Sequence, residues 1–317
     1  MSNSTPIATK YNPNKQLIII AGPTAVGKTA LSIELAQLYN CPILSFDSRQ
    51  FYREMSIGTA KPNPKELAMA EHHFINSHSI NQTYTSGKFE LEALEKLEKI
   101  YQSHDVCLAV GGSGLYINAL VYGIDAMPSD QATRAKWVAI HQSQGLIPLI
   151  NFLTEKNPEV FEFIDKQNHA RMIRAIEVIE LSGQKFTDFR KNMAKARNFT
   201  PIWIGLDMER EILYERINQR VDLMIESGLE QEVEQLNSFK DHSALKTVGY
   251  AEFFQYFDQK ITLDTTVDLI KRNSRRYAKR QFTWFKKNED ITWFSAEHKN
   301  RIASFTQQKI NELKQQF

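Results

Sequence analysis

The chain has 317 residues, 42% of them apolar, and a formal net charge of +2 at pH 7. This length suggests about two domains, and the apolar fraction suffices for buried cores, which excludes a disordered or fibrous protein. The apolar runs fall far short of the roughly 20 residues that a membrane helix needs, and the polar first fifteen residues lack a signal-peptide core, so we expect a cytoplasmic protein without membrane contact.

The strongest motif lies at residues 22–29, which read GPTAVGKT and match the phosphate-binding pattern Gly-x-x-x-x-Gly-Lys-Thr. Residues 16–20 are predicted to form a buried strand and residues 29–39 a helix, so the motif has the strand before it and the helix after it that the pattern requires. A simple glycine turn would not need Lys-Thr in this register. Amides at the helix start and Lys28 favour phosphate oxygens, and the Thr29 hydroxyl is placed to bind Mg²⁺. We infer a di- or triphosphate site formed by Gly22, Pro23, Thr24, Ala25, Val26, Gly27, Lys28 and Thr29.

The next predicted strand, 42–47, ends at Asp47, at the sheet edge where open α/β sheets place their ligands. A helix over 88–101 and a strand over 105–110 continue the alternation that is typical of a parallel sheet. The second of these strands ends in GGSG without an acidic residue, so Mg²⁺ would depend on Thr29, substrate oxygens and Asp47. Two interpretations of Asp47 remain open: a carboxylate that binds Mg²⁺ or accepts a proton, and a cap of the following turn.

The pattern changes to helices between about 128 and 189, with helical segments predicted at 134–141, 146–154, 158–165 and 170–181. A strand at 201–206 and an amphipathic helix at 207–226 then return to the sheet. Arg216 and Arg220 lie on one side of that helix, where they either face a ligand or form a solvated pair with Glu211 and Glu215. We predict a P-loop NTPase-like α/β core domain at 15–127 and 190–317, a helical insertion domain at 128–189, and a flexible tail at 1–14.

Residues 271–287 contain eight Lys or Arg, no acidic residue, and four interleaved aromatic residues. On a helix, Arg272, Arg275 or Arg276, and Lys279 share one stripe, which suits a phosphate backbone, while the aromatic rings pack inward or stack on bases. The alternative is a charged face that only keeps the protein soluble. We favour binding of RNA or another polyanion, because eight like charges lack a local counter-charge.

Other candidate metal ligands are weaker. Cys41 and Cys107 lie in predicted strands without metal-ligand spacing, so they are interpreted as buried thiols in a reducing compartment. His72 and His73 are adjacent and lack a partner cluster, which favours local hydrogen bonding over metal binding.

Taken together, the motifs resemble the tRNA dimethylallyltransferase family, the isopentenyl transferases that alkylate the adenine 3′ to the anticodon. The chain has Ser113 where the family usually has Thr, and its residues 167–171 lack the Asp and the Gln of the family's Asn-Asp-x-Gln-Arg run. It also lacks the C-terminal zinc finger of eukaryotic members, as in a bacterial-type enzyme. The resemblance covers nearly the whole chain and includes GPTAVGKT (22–29), DSRQFYREMSIGTAKP (47–62), HHFI (72–75), VGGSGLY (110–116), RMIRAIEVIELSG (171–183), ERINQRVDLMIESGLEQEV (215–233), VGY (248–250) and RRYAKRQFTWF (275–285).

This resemblance implies transfer of a dimethylallyl group from dimethylallyl diphosphate to the exocyclic amine of that adenine, with release of diphosphate. The P-loop would then hold the donor's diphosphate rather than ATP, with Mg²⁺ at Thr29, and Asp47 would be the base. Lys28, Arg216 and Arg220 would stabilise the departing diphosphate, and the helical insertion would grip the anticodon stem-loop. Residues expected to contact tRNA are Asp47, Ser48, Arg49, Gln50, Ser113, Arg134, Arg171, Arg174, Arg275, Arg276, Lys279, Arg280 and Gln281.

Three other functions also fit parts of the pattern. A P-loop nucleotide or small-molecule kinase would need a γ-phosphate cradle and an arginine-bearing lid. A non-catalytic, nucleotide-gated RNA-binding module would bind tRNA without changing its mass. An enzyme that prenylates free adenine nucleotides is disfavoured by the basic segment and the helical insertion, which suit a macromolecular acceptor. We expect a monomer.

Overall fold

The computed structural model describes residues 11–12, 14–190 and 194–315. The chain divides into two compact units, one that runs up to Tyr122 and resumes at Lys195, and one from Gly123 to Ala194. The insertion predicted at 128–189 lies inside the second unit. Most of the predicted N-terminal tail, residues 1–10 and 13, lies outside the described residues.

The larger unit is built on a parallel sheet in which the six strands found among the described residues pair in the order β3-β2-β4-β1-β5-β6. The central strand β1 places Ile18 opposite Leu108 on one side and Ile202 on the other. In chain order the strands are β1 (Gln16–Ala21), β2 (Ile43–Ser45), β3 (His72–His73), β4 (Val106–Gly111), β5 (Thr200–Asp207) and β6 (Thr292–Ser295).

Helices cover both faces of this sheet, which confirms the predicted α/β class. The helices are α1 (Lys28–Tyr39), α2 (Pro64–Ala68), α3 (Ser86–Ile100), α4 (Gly114–Tyr122), α5 (Gln131–Gln144), α6 (Ile147–Lys156), α7 (His169–Ser182), α8 (Phe186–Phe189), α9 (Arg210–Glu226), α10 (Leu229–Gln235), α11 (Tyr250–Phe257), α12 (Leu263–Phe285) and α13 (Lys299–Gln315). Helices α5 to α8 belong to the smaller unit. Among the described residues, none of these helices combines the length and the apolar character that crossing a membrane requires.

Alternation along β1 explains the two apolar layers of the larger unit. Leu17 and Ile19 point into one buried cluster, whereas Ile18 and Ile20 point into the other. Successive side chains of a strand face opposite sides of the sheet, and a parallel strand covered on both sides is apolar throughout. The carboxyl ends of these strands are thereby held at one edge.

The elements differ from their predictions mainly at the ends. Strand β2 ends at Ser45, so Asp47 follows the strand instead of closing it. Strand β5 extends to Asp207, and α9 starts at Arg210, because the Asp207 carboxylate accepts the Met208 amide at 2.7 Å in the turn between them. The segment predicted as a helix at 158–165 is a short 3₁₀ helix, Pro158–Glu162.

The smaller unit has its own apolar core, which includes Trp137, Leu149 and Met172. Within it, the side chain of Glu177 is fully buried and accepts hydrogen bonds from the guanidinium groups of Arg134 (2.7 Å) and Arg174 (2.8 Å). The Asp130 amide donates to the same carboxylate at 2.8 Å. Because a buried carboxylate must be paired and hydrogen-bonded, both arginines hold this unit together.

Candidate active site

A cavity of about 580 Å³ opens in the larger unit at the carboxyl ends of the central strands. Its walls come from the P-loop, from the segments after β2, and from helices α9 and α12. Open α/β sheets bind ligands at this edge, so the cavity is where the sequence places the phosphate site. Every residue that lines the cavity belongs to the larger unit.

The P-loop conformation requires its glycines. Gly22 has φ +152°, and a Cβ there would lie 2.8 Å from the Leu206 carbonyl oxygen. Gly27 has φ +108°, a backbone conformation that L side chains rarely adopt. The loop therefore brings the amides at the start of α1 to the cavity, where they favour an anion.

Lys28 is folded back over this loop. Its ammonium group donates hydrogen bonds to the carbonyl oxygens of Gly22 (3.0 Å) and Pro23 (2.7 Å). Burial lowers the pKa of Lys28 to about 7; the negative charge of Asp47 opposes this shift and the positive charge of Arg220 adds to it. A bound polyphosphate would favour the charged form of Lys28. The protein itself does not supply such an anion, so the site is arranged to receive one.

The structure distinguishes the two arginines of α9. Arg220 donates from Nη1 to the Thr24 hydroxyl of the P-loop at 3.0 Å, and burial lowers its pKa. Arg216 lies one turn away and is exposed, with its guanidinium 3.8 Å from the sulfur of Met208. Both line the cavity, and among the described residues neither forms the predicted alternative ion pair with Glu211 or Glu215. Arg220 is therefore the arginine that reaches the phosphate loop.

Asp47 both caps a turn and lines the cavity, so its two interpretations stay open. Its Oδ1 accepts the Arg49 amide at 3.0 Å, which caps the turn after β2. The carboxylate also lines the cavity and acts electrostatically on Lys28 and Arg220. The cap uses one carboxylate oxygen, and a carboxylate has a second that accepts a proton or binds a metal.

Ser113 joins the end of β4 to the segment after Asp47. Its hydroxyl accepts the Ser48 amide at 3.0 Å and donates to the Ser48 hydroxyl at 3.1 Å. Tyr277 of α12 lies nearby, and burial raises the pKa of this tyrosine to about 12. The hydroxyl that Ser shares with the family's usual Thr is thus engaged with protein partners.

Three of the residues expected to contact tRNA stabilise the cavity walls. Arg49 donates to the carbonyl oxygens of Ser243 (3.3 Å) and Ala244 (3.0 Å). The Gln50 amide donates to the carbonyls at 59 and 60, each at 3.2 Å. Gln281 accepts the Thr24 amide at 2.9 Å and donates to the Gly112 carbonyl at 3.0 Å. Their contact with tRNA stays a prediction.

Helix α12 presents two different faces. Ile270, Ser274, Tyr277 and Gln281 line the cavity. On the same helix, Arg275 donates to the Asn218 side chain of α9 at 2.5 Å, and Lys271 pairs with Asp222 of α9 at 2.6 Å. Arg275 of the predicted basic stripe therefore binds α9, as does Lys271, which lies outside that stripe. The cations of this run that are exposed within α12 are Arg272, Arg276, Lys279 and Arg280.

Sequence reasoning did not select Glu232, which holds one wall of the cavity. Its carboxylate accepts the amides of residues 56, 57 and 58 at 2.8–3.0 Å and the Tyr250 hydroxyl at 2.6 Å. A Cβ on Gly58 would lie 2.5 Å from the Tyr250 ring. The quoted motifs contain all of these residues, but no local pattern links positions 174 residues apart in the chain.

The weaker metal candidates have ordinary structural partners. His72 contacts the Ala70 carbonyl oxygen through Nδ1 at 2.8 Å, and His73 lies 3.1 Å from Glu71. Cys41 and Cys107 are free and buried. Within the described residues, no three His, Cys, Asp or Glu side chains are grouped to hold a metal ion.

Comparison with known proteins gives a consistent result over most of the chain. The family model described as IPP transferase matches residues 50–288. A tRNA dimethylallyltransferase of Flavobacterium johnsoniae is 48% identical over 287 residues, which cover 88% of this chain and 93% of that protein. Another, of Cytophaga hutchinsonii, is 42% identical over 300 residues, 94% of this chain and 99% of that one.

Two solved structures are similar in both fold and sequence. The full-length tRNA isopentenylpyrophosphate transferase of Bacillus halodurans has a TM-score of 0.71 and 35% identity, covering 95% of this chain and 98% of that one. A eukaryotic dimethylallyltransferase described as acting on tRNA has a TM-score of 0.75 and 27% identity, covering 89% and 74% of the two chains. The larger unit therefore has the P-loop NTPase-like sheet that the motif at 22–29 predicts.

The different positions of the two arginines give a first prediction. Arg220→Gln should weaken binding of inorganic pyrophosphate by about 1.5–3 kcal/mol, the usual contribution of a hydrogen bond to a charged group, whereas Arg216→Gln should weaken it less. Isothermal titration of both variants with pyrophosphate and Mg²⁺ measures the difference. Equal reductions in affinity would mean that the exposed arginine also reaches the anion.

Proposed function

This chain belongs to the IPP transferase family, and from that membership we infer that it is an enzyme that transfers a dimethylallyl group to tRNA. We propose that dimethylallyl diphosphate is the donor and that the acceptor is the exocyclic amine of the adenine 3′ to the anticodon. A monomer that acts in the cytoplasm is also part of the proposal. The P-loop kinase is not favoured, because relatives that match nearly the whole chain are named tRNA dimethylallyltransferase.

One observation in the structure supports this function most directly: the cavity combines an anion site with a carboxylate. Lys28 and Arg220 are half-buried cationic side chains at the P-loop, and Asp47 lines the same cavity. Transfer of an allyl group from a diphosphate to an amine needs both functions at once. One stabilises the departing anion, and the other accepts the proton that the amine loses.

In the proposed reaction, the amine nitrogen forms a bond to the first carbon of the allyl group while the bond from that carbon to the diphosphate oxygen breaks. The amine's lone pair is delocalised into the purine ring, so attack requires that its proton be accepted. We assign this role of base to the Asp47 carboxylate, which lines the same cavity. Charge accumulates on the departing diphosphate, where the P-loop amides, Lys28 and Arg220 stabilise it.

Mg²⁺ fits the donors that are present. The Thr29 hydroxyl and the Asp47 carboxylate are oxygen ligands in the same cavity. Mg²⁺ usually binds one or two protein oxygens together with substrate phosphates, so Thr29 and the diphosphate would hold it. When bound, it would neutralise part of the charge on the departing diphosphate.

For tRNA, we propose that the exposed cations of α12 meet the phosphate backbone, and that Arg171 of the smaller unit does so as well. Arg171 is exposed. Arg134 and Arg174 already bind Glu177, so only the N–H groups that do not bind Glu177 would be left to contact tRNA. The adenine must leave its stack to enter the cavity, which a single-stranded anticodon loop permits at low cost.

The decisive experiment incubates the purified protein with unmodified tRNA, Mg²⁺ and dimethylallyl diphosphate, and then measures the masses of the tRNA nucleosides. A dimethylallyl gain on adenosine would establish donor, acceptor and reaction together. An unchanged mass, with ATP consumed and a small molecule phosphorylated in a parallel reaction, would contradict the proposal. It would indicate that the protein is a P-loop kinase instead.

The role of Asp47 gives a second prediction. Asp47→Asn should lower the single-turnover rate roughly 10²- to 10⁴-fold and leave tRNA affinity nearly unchanged, because the base is removed while the tRNA-binding surface remains. Asp105→Asn is the matched control. Asp105 lies just before the first residue of β4, at the end of the strand away from the cavity, and pairs with Lys15 at the surface. Turnover of the Asp47 variant at the rate of the unmodified protein would remove Asp47 as the base.

The two faces of α12 give a third prediction. Replacing Arg276 and Lys279 by Gln should reduce the slope of log affinity for tRNA against log salt by about 0.7–0.9 for each phosphate that these cations neutralise. Arg275→Gln should change that slope less, because its guanidinium binds Asn218. Filter binding over a salt series measures both variants. A slope unaffected by the double replacement would make this face a solvated one.

A further inference from the structure

Beyond Arg220, the residues of helix α9 that line the cavity are apolar. Arg220 marks the charged end, where it donates to the P-loop hydroxyl of Thr24. Val221 and Met224 follow within one turn of the same helix and also line the cavity. The apolar wall is completed by Ile270 of α12 and by Val248. The cavity therefore has an anion site and an apolar surface side by side.

The residues of this apolar wall differ in how deeply they are buried. The side chains of Val221 and Ile270 are only 2% and 1% exposed and belong to the main buried cluster. Met224 packs against that cluster but is only partly buried. Four residues of an α-helix advance about 6 Å, so Met224 lies about that far along α9 from Arg220. A five-carbon allyl group attached to a diphosphate extends over a similar distance.

We propose that the prenyl chain of the donor lies along α9, with its diphosphate at Arg220 and its tail against Met224, and that Met224 limits the length of chain that the enzyme accepts. This inference rests on the proposed function, because it assumes an allylic diphosphate in the cavity. The inference assigns Met224 as a residue that determines donor specificity, and it assigns an orientation of the donor in the cavity. A ten-carbon geranyl chain in the same orientation would collide with the Met224 side chain.

The surrounding wall is held in place independently of Met224. Lys271 of α12 pairs with Asp222 at 2.6 Å, and Arg275 donates to Asn218 at 2.5 Å. These contacts fix α12 to α9 on turns that flank the apolar wall. When a buried side chain is shortened, its surroundings relax only partly, so removing the end of Met224 should leave usable space.

The test compares dimethylallyl diphosphate with geranyl diphosphate as donors for tRNA, with product masses and kcat/KM measured for each. Met224→Ala should raise the ratio of geranyl to dimethylallyl kcat/KM about tenfold or more, the usual discrimination for small changes of an apolar pocket. Met224→Leu keeps the volume and should leave the ratio nearly unchanged. Leu223→Ala is the surface control, because Leu223 is 60% exposed on the neighbouring position of α9.

A second variant protects the test against a failure of Met224→Ala to fold. Met224→Phe should shorten the space and raise KM for dimethylallyl diphosphate severalfold, while the affinity for inorganic pyrophosphate stays unchanged. An unaltered donor ratio in a folded Met224→Ala protein, or an unaltered KM in Met224→Phe, would overturn the inference. If the unsubstituted protein transfers no dimethylallyl group to tRNA, the proposed function itself has failed, which is a separate result.

Discussion

The site depends on positive charge that is buried at the P-loop. Lys28 and Arg220 are both desolvated there, and burial lowers the pKa of each, while Asp47 supplies the opposing negative charge. The basic side chains that line the cavity outnumber the acidic ones, Asp47 and Glu66, so the lining favours an anion. Such a site stabilises a multiply charged anion more strongly than a singly charged one. A diphosphate is such an anion.

Helix α12 maintains this arrangement from the opposite wall. Gln281 joins the Thr24 amide to the Gly112 carbonyl, so the P-loop and the end of β4 are held at a fixed separation. A Cβ on Gly112 would lie 2.0 Å from the Gln281 amide nitrogen, which explains why glycine occupies this position. Tyr277, one turn earlier, lines the cavity. The same helix that exposes basic residues on its outer side therefore positions the catalytic cavity on its inner side.

Local patterns in the sequence predicted the parts of the site that are local in the chain. The P-loop, its strand and its helix are contiguous, and Asp47 directly follows a short strand, so composition and spacing were sufficient. The contacts of Glu232, Gln281 and Arg275 were not predictable in this way, because each joins segments far apart in the sequence. Charge counting alone placed Arg275 on a nucleic-acid surface. The position of the Arg275 guanidinium depends on its contact with Asn218 of α9, and no sequence pattern within α12 predicts that contact.

A P-loop by itself does not specify the reaction, because the same loop serves phosphoryl transfer in other proteins. In this protein the cavity beside the P-loop includes an apolar wall formed by Val221, Met224 and Ile270. In a phosphoryl transfer the phosphorus atom is attacked, whereas in the proposed prenyl transfer the electrophile is a carbon that water would also attack. An apolar wall beside that carbon excludes water and leaves the amine as the nucleophile. The charged and apolar halves of the cavity are therefore both required: one favours departure of the diphosphate, and the other determines what replaces it.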